Sequence, residues 1–140
     1  MERIDCDVFM KEGTTLDIDK VIFITGNFYA GKDCYIATAI IADENIILED
    51  YADTVGICAG RNVSVGKFSK TLGIYADGSI FLDDYATAND VFSKEDVILG
   101  YEACALSINN GGEIIVENYR SPKTFFSKLI QDIKWFFFGD

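Results

Sequence analysis

The feature that most constrains the fold is a repeat of seventeen residues. The segment "NIILEDYA" (residues 45–52) is followed, at intervals of seventeen, by "NVSVGKFS", "SIFLDDYA", "DVILGYEA" and "EIIVENYR". Apolar residues alternate with period two within each repeat, which predicts strands. Because the same positions recur in every repeat, each strand should lie above its counterpart. The sequence therefore predicts an all-β fold, a single-stranded parallel β-helix of about six rungs of 17 residues.

Aligning the repeats gives columns of residues that are expected to share one environment. Core-facing columns are Tyr29, Ile46, Val63, Ile80, Val97 and Ile114; Gly31, Leu48, Val65, Leu82, Leu99 and Val116; Phe23, Ile40, Ile57, Ile74, Val91 and Ile108. Val55 is expected to face inward beside Ile57. An aromatic ladder is predicted on a third face, with Tyr51, Phe68, Tyr85, Glu102 and Tyr119. The β-helix should span residues 1–119, and residues 1–19, with Ile4, Cys6 and Val8 in register with Val21, Phe23 and Thr25, should form a partial first rung.

Residues 120–140 follow a different pattern, which predicts an amphipathic α-helix. Ser121 is a good N-cap residue, and Pro122 suits the first helical position. The apolar residues then fall on one face, here named the tail face: Phe125, Phe126, Leu129, Ile130, Ile133, Phe136 and Phe137. One interpretation is a cap over the open end of the β-helix, and the alternative is an anchor on a membrane surface. Docking to a partner protein is a third.

Composition excludes several classes of function. The chain has no histidine, and its four cysteines, Cys6, Cys34, Cys58 and Cys104, form no CxxC pair, so we expect no catalytic residue, cofactor site or metal site. One outward column is expected to hold Asp33, Asp50, Lys67 and Asp84. Its stacked aspartates are interpreted as a solvated acidic face, with a bound cation as the alternative. The net charge of −11 argues against nucleic acid as a partner. Neither a signal peptide nor a membrane-spanning run is recognisable, which predicts a cytoplasmic protein.

Two apolar stripes are predicted on the outside of the β-helix, because their residues lie one step from inward positions. The first contains Ile24, Ile41, Cys58, Tyr75 and Phe92, and the second contains Ile47, Phe81, Ile98 and Ile115. Outward positions are usually polar, so aligned apolar stripes favour a lateral interface between copies of the chain. Scattered surface hydrophobic residues are the alternative interpretation.

The rung length, the "x-I-x-L-x" and "V-x-I-x-A-D/G" units and the lack of catalytic residues resemble the bactofilins, bacterial polymer-forming cytoskeletal proteins. The resemblance covers roughly residues 21–119 and implies a right-handed β-helix that stacks end to end into filaments, often at the membrane. The single proline and the apolar C-terminal helix depart from the proline-rich tails of that family. The leading hypothesis is a non-enzymatic scaffold that binds itself. The alternatives are a β-helix binding module that forms a discrete monomer or dimer, and an enzyme.

Overall fold

A computed structural model describes residues 1–117 of the chain. These residues form sixteen short β-strands, all paired in parallel, which wind into a β-solenoid of about seven turns. The prediction of an all-β parallel solenoid is therefore confirmed. The predicted helix of residues 120–140 lies outside the described residues, as do Tyr119 and the tail face. Residues 1–117 contain no helix of the length and apolar character that crossing a membrane requires.

One wall of the solenoid is a sheet with one strand from each turn. Its strands are β2 (Val8–Met10), β5 (Phe28–Ala30), β8 (Ile46–Leu48), β10 (Val63–Val65), β12 (Ile80–Leu82), β14 (Val97–Leu99) and β16 (Ile114–Val116). Each strand has only three residues, of which the first and third face the core. We refer to this wall as the seven-stranded sheet.

The rest of the wall is a nine-stranded sheet that turns a corner. Its strands are β1 (Glu2–Ile4), β3 (Thr15–Leu16), β4 (Ile22–Ile24), β6 (Tyr35–Ile36), β7 (Ile40–Ala42), β9 (Asp53–Ala59), β11 (Lys70–Ala76), β13 (Thr87–Ser93) and β15 (Cys104–Asn110). In the first two turns two short strands occupy the place that one seven-residue strand fills later. Thus β9 pairs with both β6 and β7.

The seventeen-residue register holds from β7 onward, where Ile40 pairs with Ile57. There Ile46 pairs with Val63, and Val63 pairs with Ile80. Ile46 pairs on its other side with Phe28, eighteen residues earlier, and Phe28 pairs with Val8, twenty residues earlier. The predicted core positions of Tyr29, Gly31 and Phe23 are therefore wrong, and so is the predicted register of Ile4, Cys6 and Val8.

All the extra residues lie at one corner, between the two parts of the nine-stranded sheet. Two residues, Val55 and Gly56, separate the inward-facing Thr54 and Ile57 in the regular turns. Three residues (37–39) do so in the second turn, and five (17–21) in the first. The longer corner is held by Thr38, whose hydroxyl accepts a hydrogen bond from the Ile18 amide at 2.9 Å. Since the insertion is confined to this corner, the strands on both sides keep their stacking.

The same corner explains why Val55 does not face inward as predicted. Strict alternation would place Val55 inward with Ile57, but the bend places Thr54 and Ile57 inward together. Val55 is 42% exposed, and Leu72 in the next turn is 53% exposed. Buried Thr54 and Thr71 satisfy their hydroxyl groups by bonding to each other. Most other core residues are apolar, and residues such as Ile46, Val63 and Ile80 are almost completely buried.

A polar ladder joins successive turns at the entry to the seven-stranded sheet. The side-chain oxygen of Asn45 accepts a hydrogen bond from the Asn62 amide at 3.0 Å, and that of Asn62 accepts one from the Ser79 amide at 2.9 Å. The pattern continues in both directions, from Asp7 to the amide of Glu113. Each turn therefore satisfies a backbone donor of the next, which a solenoid without long loops requires.

The corner that follows the seven-stranded sheet requires a left-handed residue in each turn. In the first turn this residue is Gly13, which adopts positive φ readily because it has no Cβ atom. The later turns use non-glycine residues with positive φ: Asp33, Tyr51, Phe68, Tyr85 and Glu102. Phe68 stacks on Tyr51 at 5.3 Å and on Tyr85 at 4.9 Å between ring centroids. The aromatic ladder is thus confirmed for these three residues, and stacking offsets backbone strain there.

Candidate self-association surfaces

The first predicted stripe lies on the outside of the nine-stranded sheet, with one correction. Ile24 is completely buried in the core and pairs with Ala42. The eighteen-residue step in the second turn shifts Phe23 into the outward place instead, beside Ile41. The corrected stripe is Phe23, Ile41, Cys58, Tyr75 and Phe92, which we name the lateral stripe.

The lateral stripe is ordered by ring stacking and remains accessible. Tyr75 and Phe92 stack with centroids 4.9 Å apart and planes 3° from parallel. Phe92 is 37% exposed, and Ile41, Cys58 and Tyr75 are half-buried. Arg3 covers Phe23 at the N-terminal end, with its guanidinium carbon 5.4 Å from the ring centroid. The stripe thus presents a flat, apolar surface whose side chains are already oriented, which lowers the entropic cost of binding.

A shallow groove of about 500 Å³ follows the lateral stripe. Gly56 and Gly73 lie in its floor, and a Cβ atom added at either position would meet nothing within 4 Å. The missing side chains therefore create the groove, with Tyr75 and Phe92 along one side. An apolar groove beside stacked rings could accommodate a side chain of a partner protein or a second copy.

A small charged cluster borders the lateral stripe. Asp77 accepts a hydrogen bond from the Tyr75 hydroxyl at 3.0 Å and forms an ion pair with Lys94 at 3.1 Å. The hydrogen bond from Lys94 lowers the pKa of Asp77, the Tyr75 hydroxyl lowers it further, and Asp77 in turn raises the pKa of Lys94. Burial raises the pKa of the Cys58 thiol, with a smaller contribution from the charge of Asp77. This cluster fixes the Tyr75 ring within the stripe.

The second predicted stripe also points away from the core, but most of it is buried. Ile47, Phe81 and Ile98 are only 1–2% exposed, whereas Ile115 in the last turn is 39% exposed. Register places them in one column with Tyr29 and Ser64, also buried. The Tyr29 hydroxyl donates to the Glu49 carboxylate, and burial together with that bond raises the pKa of Tyr29. This column is named the outer column below.

The C-terminal edge of the solenoid is a third candidate surface; the sequence predicted an open end there, but none of its residues was named as part of it. Strands β15 and β16 each pair with only one neighbour among the described residues. Ile114 and Val116, which occupy core positions in the last turn, are 50% and 56% exposed. Their counterparts one turn earlier, Val97 and Leu99, are buried. The signal was present in the sequence, because the apolar columns continue undiminished into the last repeat.

The N-terminal edge carries charged residues at β1, whereas β2 is apolar and its Phe9 is 56% exposed. Glu2 pairs with Lys20 at 2.9 Å, and Arg3 pairs with Asp5 at 2.8 Å. Charged side chains on an edge strand discourage further pairing. The N-terminal end of the solenoid is therefore charged at β1 and apolar at β2.

The stacked carboxylates have a structural use. Asp50 accepts a hydrogen bond from the Lys67 amide at 2.9 Å, and Asp84 accepts one from the Tyr101 amide at 2.8 Å. Asp33 does not share their column, since its positive φ aligns it with Tyr51. Within residues 1–117, no three acidic or cysteine side chains are grouped so that they could hold a metal ion. The alternative of a cation between these aspartates therefore gains no support.

The tail face, residues 125–137, lies outside the described part of the chain. No protein-family model matches the chain, and no curated protein or solved structure matches it.

Proposed function

We propose that the protein is a non-enzymatic scaffold that binds copies of itself, a bactofilin-like cytoskeletal or polymer-forming protein. The observation that carries the proposal is the open C-terminal edge. There, β15 and β16 each lack a second neighbour among the described residues, and the core residues Ile114 and Val116 are half exposed. They present the same pattern that stacks every inner turn on the next. A further copy could continue the pairing and bury these side chains.

A polymer requires two contact surfaces on each copy. The C-terminal edge alone, paired with itself, would give a closed dimer, because an isologous contact uses the same patch twice. The lateral stripe supplies a second apolar surface, on the side of the solenoid, with the stacked rings of Tyr75 and Phe92 at its C-terminal end. Edge and stripe together allow open-ended growth.

The resemblance to bactofilins adds three further elements to the proposal. The solenoid would be right-handed, the protein would be cytoplasmic, and the C-terminal helix would bring the scaffold to a membrane surface or cap an end. The partner is the chain itself, and neither a cofactor nor nucleic acid takes part.

The proposal is tested by sedimentation velocity and negative-stain electron microscopy over a wide range of protein concentration. We expect the full chain to form filaments or assemblies that grow with concentration. The double variant Ile114→Glu, Val116→Lys should abolish growth, and Tyr75→Glu, Phe92→Lys should reduce it to small oligomers. The matched control Val55→Glu, Leu72→Lys changes two exposed apolar residues at the corner and should assemble normally.

A monomer at every concentration would contradict the scaffold proposal. It would favour the alternative, a binding module that docks a partner or ligand in the groove floored by Gly56 and Gly73. In that case Gly73→Leu, which fills the groove, should abolish partner binding without changing the sedimentation coefficient.

A further inference from the structure

The outer column is buried more deeply than its position in the wall explains. Phe81 and Phe92 both point outward from a parallel sheet, and both have rung neighbours above and below. Phe92 is 37% exposed, whereas Phe81 is 2% exposed. Phe81 and Ile98 form a small cluster of their own, separate from the solenoid core. All sixteen strands of residues 1–117 belong to the wall itself, so none of those strands lies over this face.

We propose that the C-terminal segment, residues 121–138, folds back as an amphipathic helix and packs its tail face along the outer column. The chain leaves the solenoid from β16, which belongs to the same seven-stranded sheet. A helix of eighteen residues is about 27 Å long. The outer column spans about 24 Å from Tyr29 to Ile115, since six turns are separated by five steps of about 4.8 Å. Segment and column therefore match in length.

Charge agrees with this packing. The column beside the outer column alternates glycine with acidic residues: Gly31, Glu49, Gly66, Asp83, Gly100 and Glu117. A segment that carries Arg120, Lys123, Lys128 and Lys134 would bring its basic side chains near these carboxylates if it packed along the outer column. An apolar stripe flanked by acidic residues complements an apolar helix face flanked by lysines.

This placement differs from an end cap. A helix on the side of the seven-stranded sheet leaves Ile114 and Val116 open, in agreement with their exposure. It also leaves the lateral stripe uncovered. The inference concerns packing within one chain, so it stands or fails independently of the proposed self-assembly.

Thiol labelling of the full-length chain tests the inference. One protein carries Ser64→Cys as its single cysteine, in the middle of the outer column, and another retains only Cys58, at the equivalent place in the lateral stripe. For each thiol, the protection factor is the labelling rate in urea divided by the rate in the native protein at the same pH. We expect the cysteine at position 64 to be protected at least about tenfold more than Cys58.

The double variant Leu129→Asp, Ile133→Asp should remove that protection and leave the Cys58 rate unchanged. The matched control Ser127→Asp, Gln131→Asp changes the polar face of the same predicted helix and should preserve the protection. Circular dichroism verifies that each protein is folded. The inference is overturned if position 64 is as reactive as Cys58, or if Leu129→Asp, Ile133→Asp has no effect. It is also overturned if protection disappears on dilution, because a second copy would then be the cover.

Discussion

Glu102 should be replaceable by a residue that makes the protein more stable. It occupies the left-handed corner with φ of 54°, in the same place as Tyr51, Phe68 and Tyr85. Those three rings stack on one another, but Glu102 is exposed and has no ring to contribute. Its backbone strain is therefore not offset by packing.

The expected gain follows from the backbone geometry. A left-handed conformation costs an L-residue about 1–2 kcal/mol, and asparagine tolerates it much better. Glu102→Asn should therefore raise the free energy of unfolding by about 1 kcal/mol, which corresponds to about 4 °C in Tm for a chain of this size. Phe68→Asn relieves the same strain but loses two ring stacks, each worth about 0.5–1.5 kcal/mol. It should change stability by about 0 to −2 kcal/mol.

Thermal unfolding followed by circular dichroism, and urea unfolding at 25 °C, measure both variants against the wild type. The reasoning requires that Glu102→Asn stabilises and that Phe68→Asn does not. A decrease in Tm for Glu102→Asn would refute it, since the strain would then be absent or Glu102 would contribute a contact that outweighs it. Equal changes for the two variants would show that ring stacking adds nothing at this corner.

Three further predictions concern the core and the titratable groups. Ile80→Ala should lower the free energy of unfolding, measured in urea, by about 2–5 kcal/mol because Ile80 is completely buried. Ile114 lies in the same column but is half exposed, so Ile114→Ala should lower it by about 1 kcal/mol. Equal losses would contradict an open edge. The alkylation rate of Cys58, measured against pH in a protein without the other cysteines, should have its midpoint above the ordinary thiol value of 9.0, and the midpoint should return to that value in urea. The pKa of Asp77 is lowered below its ordinary value of 3.8, so its contribution to stability is present above that pH and is lost as the pH falls through the lowered pKa. The Tm of the wild type should therefore exceed that of Asp77→Asn at pH 6, and this difference should disappear near pH 2. A Tm difference independent of pH would exclude the ion pair as its cause.

The repeat was sufficient to predict the fold because successive turns of a solenoid have the same order of strands, so the period of the sequence specifies the topology. Columns such as Ile46, Val63 and Ile80 are in register in the structure as they are in the sequence. The same regularity produced the errors. A fixed step of seventeen extended past Ile46 placed Tyr29 and Ile24 on the wrong side of the wall, since the first two turns carry extra corner residues. Periodicity shows that a strand exists, but only a turn signal at the corner could have revealed the insertion.

The candidate surfaces were predicted less well, for a different physical reason. An apolar residue at an outward position can be exposed, as Phe92 is, or covered by another part of the chain, as the burial of Phe81 indicates. Alternation within a strand shows whether a side chain points into the core or away from it. It gives no information about what covers the outer face of the sheet. The bend at Gly56 also moves Val55 outward, which no strict alternation could predict.

The polar ladder from Asp7 to Glu113 has a consequence for how the length of this protein can change. Each turn makes its ladder contact only with the next turn, and from Ile46 onward the turns are interchangeable in register. Removing residues 63–79 would join Asn62 directly to Ile80, where Ser79 now stands, and would leave every remaining strand with a partner of the same pattern. The length of the solenoid can therefore change in steps of one whole turn. Gene duplication or deletion of seventeen residues could add or remove such a turn without altering the others.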